Sequence, residues 1–147
     1  AGVWQQFAAK KAVAMAAVPD WTVMAMEAGA QVDILPADVY FKSMAQAILA
    51  SDETIQKNPQ LIQKLVRATL KGMRDIMANP KDAAQVYVKH IPAHQGKEAS
   101  MQRTFEFFNQ YVYANQKVLG LMDEQRLSDL QKFYVSNGVV TKEVPVK

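Results

Sequence analysis

The chain has no cysteine in its 147 residues, which excludes disulfides, thiol catalysis and thiolate metal sites. That absence is compatible with export. Histidine is scarce as well. His90 and His94 stand four apart, a spacing that two metal ligands on a helix would have, but Pro92 lies between them and no acid flanks His90. They read as helix-end histidines without a metal. No apolar segment approaches the roughly 20 residues needed to cross a bilayer. The opening, AGVWQQFAAKK, lacks the basic start and long apolar core of a signal peptide. Charge of one sign is missing too: the net charge is +3, and Lys57, Lys64, Arg67, Lys71, Arg74, Lys81 and Lys89 are interleaved with acids. The only basic run is Lys10-Lys11, so the pattern is a solvated surface and carries no nucleic-acid footprint. No glycine-rich phosphate loop, nucleophile elbow or paired-carboxylate spacing is present. Asp52-Glu53 and Asp123-Glu124 sit at helix starts, where acids complement the dipole. No catalytic set is visible, and nothing calls for a cofactor.

What is present suits a globular protein. Half the residues are apolar and 21% charged, and the length allows one domain with a sizeable core. The stretch from Lys10 to Tyr40 organises the reading. Ala12–Val18 is a short, wholly apolar run ended by Pro19, the pattern of a strand buried on both faces. Asp20 can cap a following helix that carries Trp21, Met24 and Ala25 on one side and stops at Gly29. A second strand, Gln31–Leu35, ends at Pro36. Strand, helix, strand forms a βαβ unit with parallel strands. In open α/β sheets ligands bind beyond the carboxyl ends of the strands. Those ends hold Pro19, Asp20 and Trp21 after the first strand, and Asp38, Val39 and Tyr40 after the second. A carboxylate with two aromatic rings makes a rim for a flat, polar small molecule. The plainer alternative stays open: Asp20 only caps, Trp21 only packs and Tyr40 only covers an edge.

The rest reads as helices. Val3–Ala9 has the spacing of a helix tail. Met44–Leu49 has the composition of a buried strand, and Ser51-Asp52-Glu53 that of a turn or helix start. The strongest helix runs from Asn58-Pro59 to Asn79-Pro80, with Leu61, Ile62, Leu65, Val66, Leu70, Met73, Ile76 and Met77 on one stripe that should face a core. Asn79 and Pro80 open the next helix, which carries Ala83, Val86, Tyr87 and His90 inward until Pro92. Glu98–Tyr113 follows with Met101, Phe105, Phe108 and Val112. The last helix is capped by Asp123, is placed for a staple between Met122 and Leu127, buries Leu127, Leu130, Phe133 and Tyr134, and closes at Gly138. The tail, 139–147, is a loop or an edge strand.

Taken in series, from VPDW through ILASDETIQKNPQLIQKLVRATLKGMRDI to about Gly138, these elements resemble the C-terminal half of ABC-transporter solute-binding proteins of the NMT1/THI5-like group, which includes binders of thiamine pyrimidine precursors, sulfonates, nitrate and taurine. The resemblance implies an α/β, two-lobed periplasmic-binding-protein-like (type II) fold, of which this chain is the helix-rich C-terminal portion. Residues 1–40 would then be the late part of the second lobe, and 41–147 the crossover back and the helical completion of the first. A missing N-terminal half would carry the signal and much of the pocket. The implied location is periplasmic, or extracytoplasmic and membrane-anchored. The implied partners are a small-molecule ligand and a membrane permease. Asp20, Trp21 and Tyr40, with Pro19 and Thr22 beside them, match the ligand-contacting positions in type. A carboxylate with aromatics suits a pyrimidine- or amine-bearing ring better than a sulfonate or nitrate. Enzymatic relatives need a cysteine-rich motif that is absent here, so a binder is expected. The alternatives are a pyrimidine-synthesis enzyme on the same fold and a stand-alone α-rich interaction domain.

Overall fold

The computed structural model describes residues 2–42, 46–114, 116 and 118–146. It consists of helices: α1 (Val3–Ala8), α2 (Pro19–Glu27), α3 (Ala37–Tyr40), α4 (Asp52–Lys57), α5 (Pro59–Ala78), α6 (Pro80–His90), α7 (Glu98–Phe108) and α8 (Glu124–Ser136). A 3-10 turn, Pro92–His94, follows α6, and a π-helical turn, Asn109–Tyr113, extends α7. The chain divides into two compact units. The first is Ala1–Ile34 with Ala68–Gln116, and the second Leu35–Arg67 with Lys117–Lys147.

The first unit holds every buried residue among those described. Asn79 starts α6 as the sequence suggests: its Oδ1 accepts from the Asp82 amide at 3.2 Å, and Pro80 takes the first helical position. Ala84 and Val88 pack on Met101 of α7, with Tyr87 and Phe105 closing the cluster edge to face at 5.7 Å. His94 Nδ1 lies 3.2 Å from the Met101 sulfur. On the other side α7 meets α2, and Ser100 Oγ donates to Glu27 at 3.0 Å. Val23 and Ala25 of α2 are fully buried. Asn109 Nδ2 donates to the Ile76 carbonyl at 3.0 Å and ties down the last turn of α5.

The second unit has no buried residue among those described. Ser51 caps α4 through its hydroxyl, and Asp123 caps α8, accepting from the Arg126 amide at 3.0 Å. Gly138 closes α8 with a positive φ of 68°, a conformation open to glycine at little cost. Two contacts join α3 to α8: an ion pair from Arg126 to Asp38, and the Phe41 ring 4.6 Å from Phe133. The tail pairs through Gln131, whose side chain both donates to and accepts from the Val144 backbone.

Several expectations change. Ala12–Val18 and Gln31–Leu35 form no strands, and the first is largely exposed, with Val13 fully so. A strand is stabilised only by a neighbour that pairs its amides and carbonyls, and no such neighbour stands among the described residues. Of the strand expected at Met44–Leu49, Met44 and Ala45 lie outside the described residues, and the remainder is not a strand. α5 spans the expected range but buries none of its residues; Leu61 is 59% exposed. α8 likewise leaves its apolar side unburied. α6 is rotated from expectation: Ala84 and Val88 face the core, while Val86 is 60% exposed. Along α7 the buried positions are Met101 and Thr104. Val13, Leu35, Val39, Leu49 and Leu121 are each more than 60% exposed. Much apolar surface is therefore uncovered.

Candidate functional site

The first turn of α2 carries four of the five residues singled out from the sequence. Val18, extended at φ −102° and ψ 161°, supplies the N-cap through its backbone alone. The expected cap, Asp20, is displaced because Pro19 takes the first helical position, where its fixed φ and missing N–H cost nothing. Asp20 stands second, half-buried, with its carboxylate at the positive end of the helix. The first bond back to the preceding chain is made by the Thr22 amide to Val18 at 3.2 Å. The amides of Asp20 and Trp21 thus precede the first intrahelical acceptor, as helix geometry requires.

Trp21 and Thr22 part company. Thr22 turns inward at 9% exposure, and its hydroxyl donates to the Val18 carbonyl at 3.4 Å. Trp21 stays 36% exposed, and the buried face of α2 is Thr22, Val23 and Ala25 rather than the expected Trp21, Met24 and Ala25. A ring, a carboxylate and two unspent amides therefore occupy one helical turn. Such a set has the chemistry to accept from a donor, to donate to carbonyl oxygens and to cover a flat apolar face.

Tyr40, the fifth residue, belongs to the other unit. It ends the single turn of α3 and is 75% exposed. Asp38, named from the sequence beside it, is held by Arg126. The guanidinium Nε of Arg126 is buried with no partner, so only part of its donor set is used. Neither Arg126 nor Phe133 was visible as part of this arrangement from the sequence. The ion pair joins residues 88 apart, and no local pattern marks such a pair. The one available signal is weak: Arg126 and Phe133 lie two helical turns apart on one face of α8.

Among the described residues no group of three or more His, Asp or Glu side chains is placed to hold a metal ion, and no helix is long and apolar enough to cross a membrane. Tyr113 stacks on Phe108 at 5.8 Å, and burial pushes its hydroxyl above the ordinary tyrosine value.

Comparisons with known proteins give a family and one relative. A family model described as NMT1/THI5 like matches residues 2–83, a span that includes Pro19, Asp20, Trp21, Thr22 and Tyr40. The chain is also similar to the riboflavin-binding protein RibY of Chloroflexus aurantiacus, 32% identical over 124 residues, covering 81% of this chain and 35% of that protein. The chain thus spans about a third of the length of the curated relative it matches. No solved structure matches it.

Proposed function

Since the chain belongs to the NMT1/THI5-like family, we propose that it is the C-terminal part of a solute-binding protein that delivers a flat, polar ring compound to a membrane permease. The observation that carries this reading is the family match over residues 2–83, which takes in every candidate contact. In this reading the protein works periplasmically or outside the cytoplasmic membrane. Its two lobes close over the ligand, and the closed form is the one a permease recognises. In this reading the apolar surface left open by α5 and 12–18 is covered by the other part of the protein.

The chemistry of the α2 turn supports one ligand class. An imide edge, as in pyrimidinediones and the flavin ring system, presents carbonyl, N–H, carbonyl in sequence. The N–H donates to the Asp20 carboxylate, and the carbonyls accept from the amides of Asp20 and Trp21. The Trp21 ring lies against the flat face, a contact of about 0.5–1.5 kcal/mol beyond area burial. Tyr40 is proposed as a ligand contact in its own right. The relative that binds riboflavin makes riboflavin the first probe.

The test is titration of the complete gene product with riboflavin, read by quenching of flavin fluorescence. Saturable binding is expected, weakened about tenfold in Trp21→Ala and in Asp20→Ala, since each removes on the order of 1.4 kcal/mol of contact. Unchanged affinity in both variants would sink the assignment of the α2 turn. Chemical turnover of the bound compound would favour a pyrimidine-synthesis enzyme over a binder.

A further inference from the structure

The one-turn helix α3 has no means of holding itself. A single hydrogen-bonded turn fixes several dihedrals for one or two bonds and is unfavourable in isolation. α3 has no side-chain cap, no buried residue and only four members. Its two backbone bonds, from the Val39 amide to Pro36 at 3.1 Å and from the Phe41 amide to Ala37 at 2.8 Å, are local. Val39 and Tyr40 are both 75% exposed, so packing does not hold it either. Among the described residues two tethers remain, and both end on α8.

Asp38, on the near side of Tyr40, pairs with Arg126. Phe41, on the far side, lies against Phe133 with ring centroids 4.6 Å apart at 46°. The anchors on α8 are two turns apart and so face the same way, about 10 Å from one another. Arg126 is largely covered, its side chain 31% exposed and its Nε buried. The tethers bracket Tyr40 and leave its ring out in the open. Because the backbone that carries the ring is held on both sides, less entropy is lost when a flat ligand stacks on it.

We propose that Arg126 and Phe133 are positioning residues for Tyr40, acting through Asp38 and Phe41 to present its ring to the ligand. This rests on the reading of Tyr40 as a ligand contact. It adds a specific dependence: the affinity contributed by Tyr40 is set by residues of α8 that touch no ligand.

Two measurements on the complete gene product test it. The first is hydrogen exchange at the Val39 and Phe41 amides, which needs no ligand. Arg126→Ala and Arg126→Gln should each speed exchange there by about tenfold or more while leaving the α6 and α7 amides unchanged, because only the α3 segment opens. Unchanged exchange at Val39 and Phe41 in both variants would overturn the proposal, whatever the protein binds. The second is a mutant cycle read by riboflavin affinity. Tyr40→Ala and Arg126→Gln each weaken binding, and the double variant binds no more weakly than Tyr40→Ala alone, because Arg126 acts only through that ring. Additive losses would show that Arg126 acts elsewhere and would overturn the proposal. Loss of all riboflavin binding by the unaltered protein strikes the ligand reading instead, and the exchange measurement still decides the tether.

Discussion

Val86 and Val88 are two valines on one helix, two residues apart, with opposite surroundings: Val88 is 3% exposed against Met101 and Ala84, and Val86 is 60% exposed. Alanine at each position removes the same atoms. At Val88 the loss of two buried carbons costs about 1.6 kcal/mol of transfer energy. An unrelaxed cavity of roughly 50 Å³ adds about 1 kcal/mol. The better helix propensity of alanine returns about 0.5 kcal/mol, so the net is about 2 kcal/mol. At Val86 the transfer and cavity contributions nearly vanish, and the change should stay within about 0.5 kcal/mol of zero. Exchange of the α6 and α7 amides reads both changes locally. Val88→Ala should accelerate exchange about 30-fold, at tenfold for each 1.4 kcal/mol, and Val86→Ala should leave it nearly unchanged. Equal effects, or a larger one at Val86, would refute the packing of α6 on α7 described above.

Two further outcomes follow from local chemistry. Asn79→Ala removes the acceptor of the Asp82 amide and should destabilise α6 by about 1 kcal/mol, with Asn79→Ser nearly neutral; equal losses in the two variants would place the cost outside the cap. Tyr113 holds its proton more tightly folded than unfolded, because burial disfavours the phenolate. Above pH 10 the unfolded chain has released that proton while the folded chain retains it. Tyr113 therefore contributes stability that is present below that pH and is lost as pH rises through the folded value. Denaturant midpoints between pH 9 and 11.5 should fall less steeply for Tyr113→Phe than for the unaltered protein, and identical slopes would contradict the assignment.

Local signals were legible in the sequence because their physics is local. Asn79-Pro80 and Asp123 name helix starts through a side chain and an amide three residues on, and Gly138 names a stop through its own backbone freedom. Family resemblance was legible in the same way, from the order of such punctuation. Which face of a helix is covered is settled by what arrives from elsewhere, and there the pattern misled. The stripe of α5 marks an apolar face faithfully, yet nothing among the described residues buries it. Ala12–Val18 has the composition of a strand and lacks, among the described residues, a partner to make it one. Pro19 and Asp20 show a competition between two local rules, in which proline's preference for the first helical position displaced the acid from the cap. At the candidate site the contributing residue types were visible. The tie from Asp38 to Arg126, across 88 residues of chain, was not, because neither residue's neighbours in sequence differ from an ordinary solvated surface.

The claim that this chain belongs to a binder of flat, imide-bearing rings is tested most directly by one titration: riboflavin against the complete gene product, with Trp21→Ala alongside. The account predicts saturable binding of one ligand per chain, weakened about tenfold when the Trp21 ring is removed. Absence of saturable binding by riboflavin and by simple pyrimidinediones, or affinity indifferent to Trp21, would contradict it.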